Sequence, residues 1–75
     1  MKFLNALKIG AKFFISEYLL NMLGQRQLIE LGIVPNIPIQ LTQKSFSFII
    51  IKCQGSKYAI SNDVAQQLLV SEILS

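Results

Sequence analysis

The sequence predicts a mainly β domain with short helices. The expected architecture is an SH3-like small barrel of about five strands, with a helix inserted after the first strand and a short helix before the last. Three observations lead there. The run Leu31-Gly32-Ile33-Val34-Pro35-Asn36 ends a helix and turns at once toward a strand. Two alternating apolar patterns follow, Ile37 to Thr42 and Phe46 to Cys53. A helix-start signal then appears at Ser61, ahead of a last apolar stretch. Strands this short need closure or cover to protect their edges.

The first element is weak. Phe3 to Leu7 suits one helical turn before Gly10. Ala11 to Tyr18 reads as a strand, with Phe13 and Ile15 on one face and Phe14 and Ser16 on the other. Its aromatic and β-branched content agrees.

Leu20 to Leu31 reads as helix, with Leu20, Leu23, Leu28 and Leu31 near one stripe. Gly24 weakens its interior, and a shorter helix from Gln25 to Leu31 is the alternative. Gly32 stands where a left-handed residue closes a helix. Pro35 prevents the helix from resuming. Pro35-Asn36 fits the centre of a turn, because proline presets φ and asparagine tolerates a positive φ after it.

Ile37, Ile39 and Leu41 form the apolar side of the next strand, and Pro38 puts its start at an edge or bulge. From Phe46 to Cys53 both sides are apolar. Ile49, Ile51 and Cys53 share one; Phe46, Phe48 and Ile50 share the other. Gly55 and Ser56 turn the chain into a strand from Lys57 to Ile60. Ser61 suits an N-cap, supported by Asp63 in the first turn, and Ala65 and Leu68 share the helical face. A last strand, Leu69 to Ile73, closes the barrel. Its register stays open between Val70 with Glu72 and Leu69 with Ser71 and Ile73.

Composition bounds the function. A chain of 75 residues holds one domain, residues 1–75. At 52% hydrophobic it has enough apolar side chain for a core. With 15% charged residues, against roughly 25% in ordinary domains, part of the surface suits a covering partner. The net charge is +3, yet the lysines are scattered and Arg26 is the only arginine, so no nucleic-acid partner is expected. No run approaches the 18 or so apolar residues of a membrane span, and Lys8 and Lys12 break the apolar amino terminus where a signal peptide would be continuous.

Catalytic residue types are sparse. Histidine is absent, which removes imidazole acid-base chemistry and histidine-built zinc sites. Cys53 is alone, which rules out an internal disulfide and fits a reducing, cytosolic setting. Its alternation with Ile49 and Ile51 makes it an inward, inert thiol. Glu17, Glu30, Asp63 and Glu72 are dispersed, and the glycines form no phosphate cradle. No enzyme activity, cofactor or metal is expected.

Phe46 and Phe48 have two readings. Either they pack inside a twisted hairpin, or they form a docking surface. Docking is preferred, because the opposite face of the strand already supplies core residues and aromatic anchors dominate binding hot spots. The candidate partner-binding residues are Phe46, Phe48 and Ile50 with the cations Lys44 and Arg26. Gly32, Pro35, Asn36 and Gly55 are the structural turn residues.

Gln27-Leu28-Ile29-Glu30-Leu31-Gly32-Ile33-Val34-Pro35-Asn36, followed by Ile39 and Leu41, resembles the helix-turn-strand signature of FeoA-type proteins. Ile49, Ile51, Gly55, Ala59-Ile60, Ala65, Leu68 and Val70 continue the likeness. Asn36 stands where the family usually has glycine; Gln27 and Ser61 stand where it usually has arginine. A proline-containing loop is replaced near Ser45 to Ser47. The resemblance implies a cytosolic accessory protein of bacterial ferrous iron uptake. Its implied partner is the membrane iron transporter, which carries a cytosolic GTPase domain. It would be recruited to the inner face of the membrane by that partner. Weak self-association through an open sheet edge is compatible with this reading. The alternative function is a small nucleic-acid-binding barrel.

Overall fold

The computed structural model describes residues 1–74. The elements run in the order β1 (Lys2–Phe3), a 3-10 turn (Leu4–Ala6), β2 (Lys12–Tyr18), α1 (Met22–Glu30), β3 (Ile39–Lys44), β4 (Phe48–Cys53), β5 (Ser56–Ser61), α2 (Asn62–Ala65) and β6 (Leu68–Glu72). All strands join one 6-stranded sheet in the order β1-β6-β2-β3-β4-β5, and its neighbours pair antiparallel.

This corrects the expected SH3-like barrel of about five strands. The sheet is open: β1 and β5 are its two edges, and no ladder joins them. β1 is only 2 residues long and runs straight into the 3-10 turn, so it offers β5 almost no backbone. β5 in turn runs directly into α2. Side chains fill the opening instead. α2 packs on β4, β5 and the 3-10 turn, and that turn packs on β6. Leu4, Leu7 and Ala65 are fully buried there. Because Lys2–Phe3 is itself a strand, α1 follows the second strand rather than the first; the short helix before the last strand stands as expected.

Alternation sets the core. Phe13 and Ile15 of β2, Ile39 and Leu41 of β3, Ile49, Ile51 and Cys53 of β4, and Leu68 and Val70 of β6 are all buried. The open register of the last strand resolves with Val70 inward, beside Leu68. At full burial each such side chain contributes about 1.5–3 kcal/mol of transfer free energy.

Two bulges re-aim side chains. The β3–β4 register shifts between Leu41 and Gln43, which brings Lys44 opposite the inward residue Ile49. The β2–β6 register shifts between Ile15 and Glu17, which brings Tyr18 opposite the inward residue Leu68. An extra residue on one strand reverses which face the following positions occupy. Tyr18 accordingly reaches inward, and its hydroxyl donates to the Ile33 carbonyl at 2.6 Å.

The turns follow the residues. Asn36 has φ 72°, as expected after Pro35. Gly32 has φ 86°, and its amide donates to the Ile29 carbonyl at 2.9 Å, which closes α1. The β4–β5 turn is centred on Gln54-Gly55, not Gly55-Ser56. Both central residues have positive φ, 53° and 85°, and Cys53 pairs with Ser56. That is the two-residue hairpin turn whose twist suits the flanking strands.

α1 differs from its expected stripe. Its N-cap is Asn21, whose side chain accepts from the Gly24 amide at 2.9 Å, so the helix passes through Gly24. Of its residues only Leu28 is buried, while Leu23 is 63% exposed and the C-capping Leu31 47%. Ser61 caps α2 as expected, accepting from the Val64 amide at 3.2 Å.

Candidate protein-docking surface

The tip between β3 and β4 is fixed by hydrogen bonds from Ser45 and Asn62. The Ser45 amide donates to the Phe48 carbonyl at 2.9 Å, and the Ser45 hydroxyl reaches the same oxygen at 3.1 Å. The Asn62 amide donates to the Ser47 carbonyl at 3.1 Å. Asn62 Nδ2 donates to the Phe46 carbonyl at 2.8 Å. The start of α2 therefore braces the loop by continuing the β4–β5 ladder one step beyond the Phe48–Ser61 pair. The Phe46 side chain lies outside this brace and is 100% exposed.

Beyond the tip, β4 continues the apolar surface. Phe48 is 36% exposed on the outer face, and Ile50 is half-buried on the same side. Ala59 of β5 lies opposite Ile50 and is exposed. Ile49 and Ile51, on the other face, are in the core. The strand is apolar on both sides because one side builds the interior and the other remains uncovered. An aromatic ring held out by an ordered backbone loses little conformational freedom on binding, which favours an anchor role.

The proposed cations behave differently from the apolar residues. Lys44 Nζ donates to the Leu7 carbonyl at 2.8 Å and the Asn5 carbonyl at 3.1 Å. It ties β3 to the 3-10 turn, so its ammonium is committed to the fold. Arg26 lies on α1, where a shallow depression brings it together with Met22, Gln25, Ile29 and Glu30 and not with the hairpin. Asn62 was not singled out from the sequence; the signal available was an amide side chain directly after a serine cap.

Chemistry for bond making is sparse here. Among the described residues no three His, Cys, Asp or Glu side chains converge as a metal site. Cys53 is buried, its thiol 3.6 Å from the Gly32 carbonyl, and burial pushes its pKa up. A thiol kept neutral in this way is a poor nucleophile. No helix among the described residues is long and apolar enough to cross a membrane.

Comparison with known proteins adds to this geometry. The model of the FeoA domain family matches residues 3–72. A crystal structure of an iron uptake regulatory protein, FeoA, superposes with a TM-score of 0.86 at 23% identity, covering 96% of this chain and 97% of that one. The solution structure of the FeoA protein from Chlorobium tepidum gives 0.91 at 19% identity, covering 97% and 71%. A FeoA-like protein from Clostridium acetobutylicum gives 0.81 at 22% identity, covering 96% and 86%. At these identities the structural likeness carries the fold. Among curated proteins no significant sequence match was found.

Proposed function

Because this chain belongs to the FeoA domain family, whose members are non-enzymatic accessory components of bacterial ferrous iron uptake, we propose that it acts by docking its β3–β4 hairpin on the membrane iron transporter. The contact lies on the transporter's cytosolic part, which includes its GTPase domain, and recruits this protein to the inner face of the membrane. Phe46, Phe48 and Ile50 make the apolar contact.

The observation that carries this reading is the fully exposed Phe46 ring on a tip whose backbone is hydrogen-bonded to α2. A solvent-exposed aromatic beside two further apolar residues has no role in the interior, which β4 serves with Ile49, Ile51 and Cys53. Large aromatics at interfaces commonly supply much of the binding energy. Lys44 supports the surface from behind by fixing the hairpin to the 3-10 turn.

The test is co-purification with the transporter from solubilised membranes. Phe48→Ser should leave the thermal unfolding transition cooperative and abolish recovery of the transporter. Full recovery with the folded variant would remove the hairpin from the contact.

A further inference from the structure

The outer face of the sheet has a second, chemically distinct half. In the register, Lys12 of β2 lies opposite Gln40 of β3, Gln40 opposite Lys52 of β4, and Lys52 opposite Lys57 of β5. Their inward neighbours Phe13, Ile39 and Cys53 are buried, so the row lies on the same outer face as Phe48 and Ile50. With strands about 4.8 Å apart, the row spans about 15 Å. Residues remote in sequence thus become a transverse line of positive charge.

Among the described residues that line is uncompensated. Among the described residues the ion pair is Lys2 with Glu72 at 3.7 Å, and none of Lys12, Lys52 or Lys57 has an acidic partner. Gln40 does not supply one either; its amide donates to the Gly10 carbonyl at 3.3 Å. Lys52 and Lys57 form the pair next to the hydrogen-bonded Cys53–Ser56 closure, the wider-bonded position at which side chains approach most closely. Like charges placed directly opposite destabilise a sheet. Beside the row runs a shallow groove lined by Lys12, Pro38, Gln40, Lys52, Gln54 and Gly55.

We propose that this row receives a carboxylate-rich segment of the partner polypeptide. The inference rests on the docking reading above and deepens it: the apolar half anchors, and the basic half selects an acidic sequence. Charge complementarity decides the occupant. Side-chain carboxylates recur about every 6.6 Å on one side of an extended chain, so three of them cover about 13 Å, close to the length of the row. Attraction of this kind speeds encounter and sets orientation more than it adds affinity.

The probe is an oligoglutamate peptide titrated into isotope-labelled protein and followed by amide chemical shifts. Saturable perturbation is expected at Lys12, Gln40, Lys52 and Lys57. It should vanish on going from about 10 mM to about 1 M salt, where the screening length falls from about 30 Å to about 3 Å. Lys52→Gln should weaken the peptide about threefold and Lys52→Glu should remove binding, while Lys8→Gln, off the row, changes nothing. Phe46→Ser and Phe48→Ser should leave this titration unaltered, since the probe has no apolar side chain. Failure of the hairpin reading is therefore seen only in co-purification, and failure of this one only in the titration. The proposal is overturned by perturbations that avoid the row, by their absence, or by tighter binding of duplex DNA or anionic vesicles at the same amides.

Discussion

Asn62 holds Phe46 by its backbone: the side-chain amide of the first residue of α2 donates to the Phe46 carbonyl at 2.8 Å, while the Phe46 ring is 100% exposed. The helix that fills the opening of the sheet thereby also sets the position of its most exposed aromatic. Fold and proposed docking surface share one strut.

Asn62→Ala tests that strut. The Asn62 main-chain amide still reaches Ser47, so the loop should remain attached but loosen. A single neutral hydrogen bond at an exposed site contributes about 0.5–1 kcal/mol. Thermal unfolding should shift by that small amount, and faster amide exchange should be confined to Ser45–Phe48. Exchange unchanged at those amides would show that Asn62 does not order the tip.

Lys44→Met removes two charge-assisted hydrogen bonds to the 3-10 turn while keeping the aliphatic stem. Such bonds contribute about 1.5–3 kcal/mol each when buried, and less here because the residue is exposed. A loss of about 1–2 kcal/mol is expected by denaturant titration, and Lys44→Arg should restore part of it. A variant as stable as the parent would mean that the carbonyls of Asn5 and Leu7 are served equally well by water.

Burial pushes up the pKa of both Cys53 and Tyr18. Each is neutral when protonated, and folding favours that neutral form. The stability they contribute is complete below the unfolded values, roughly 8.5 for the thiol and 10 for the phenol. It declines as pH rises from there through the raised folded values. Urea midpoints measured from neutral to strongly alkaline pH should therefore hold level and then fall, and Cys53→Ala and Tyr18→Phe should each flatten their share of the fall. A midpoint insensitive to both substitutions in the alkaline range would contradict the assignment. In the native protein Cys53 should also resist a disulfide reagent until unfolding.

Much of the local structure was legible because local chemistry decides it. Asn36 after Pro35 announced a positive φ, Ser61 announced a helix start, and the alternation through Ile49, Ile51 and Cys53 announced the core face. What escaped depends on residues far apart in sequence. Whether a sheet closes depends on how its two ends meet, and nothing in Lys2–Phe3 alone shows a strand that stops after 2 residues. The bulges in β2 and β3 reverse the parity that alternation assumes, so the bond from Lys44, expected among the partner-binding residues, to the 3-10 turn was not visible in the sequence. The leucines from Leu20 to Leu31 suggested an inward stripe, but Leu28 alone of the α1 residues is buried, with Leu20 packed on the core from just before the helix. The lysines looked scattered because their alignment exists only across the strand register.

The most direct measurement is the dissociation constant of the folded protein for the cytosolic part of the transporter, compared with that of Phe46→Ser. The substituted side chain contacts solvent alone, so the unfolding temperature should not change. A hot-spot aromatic contributes about 2 kcal/mol or more, so affinity should fall at least about tenfold. An unaltered dissociation constant at unaltered stability would contradict the account.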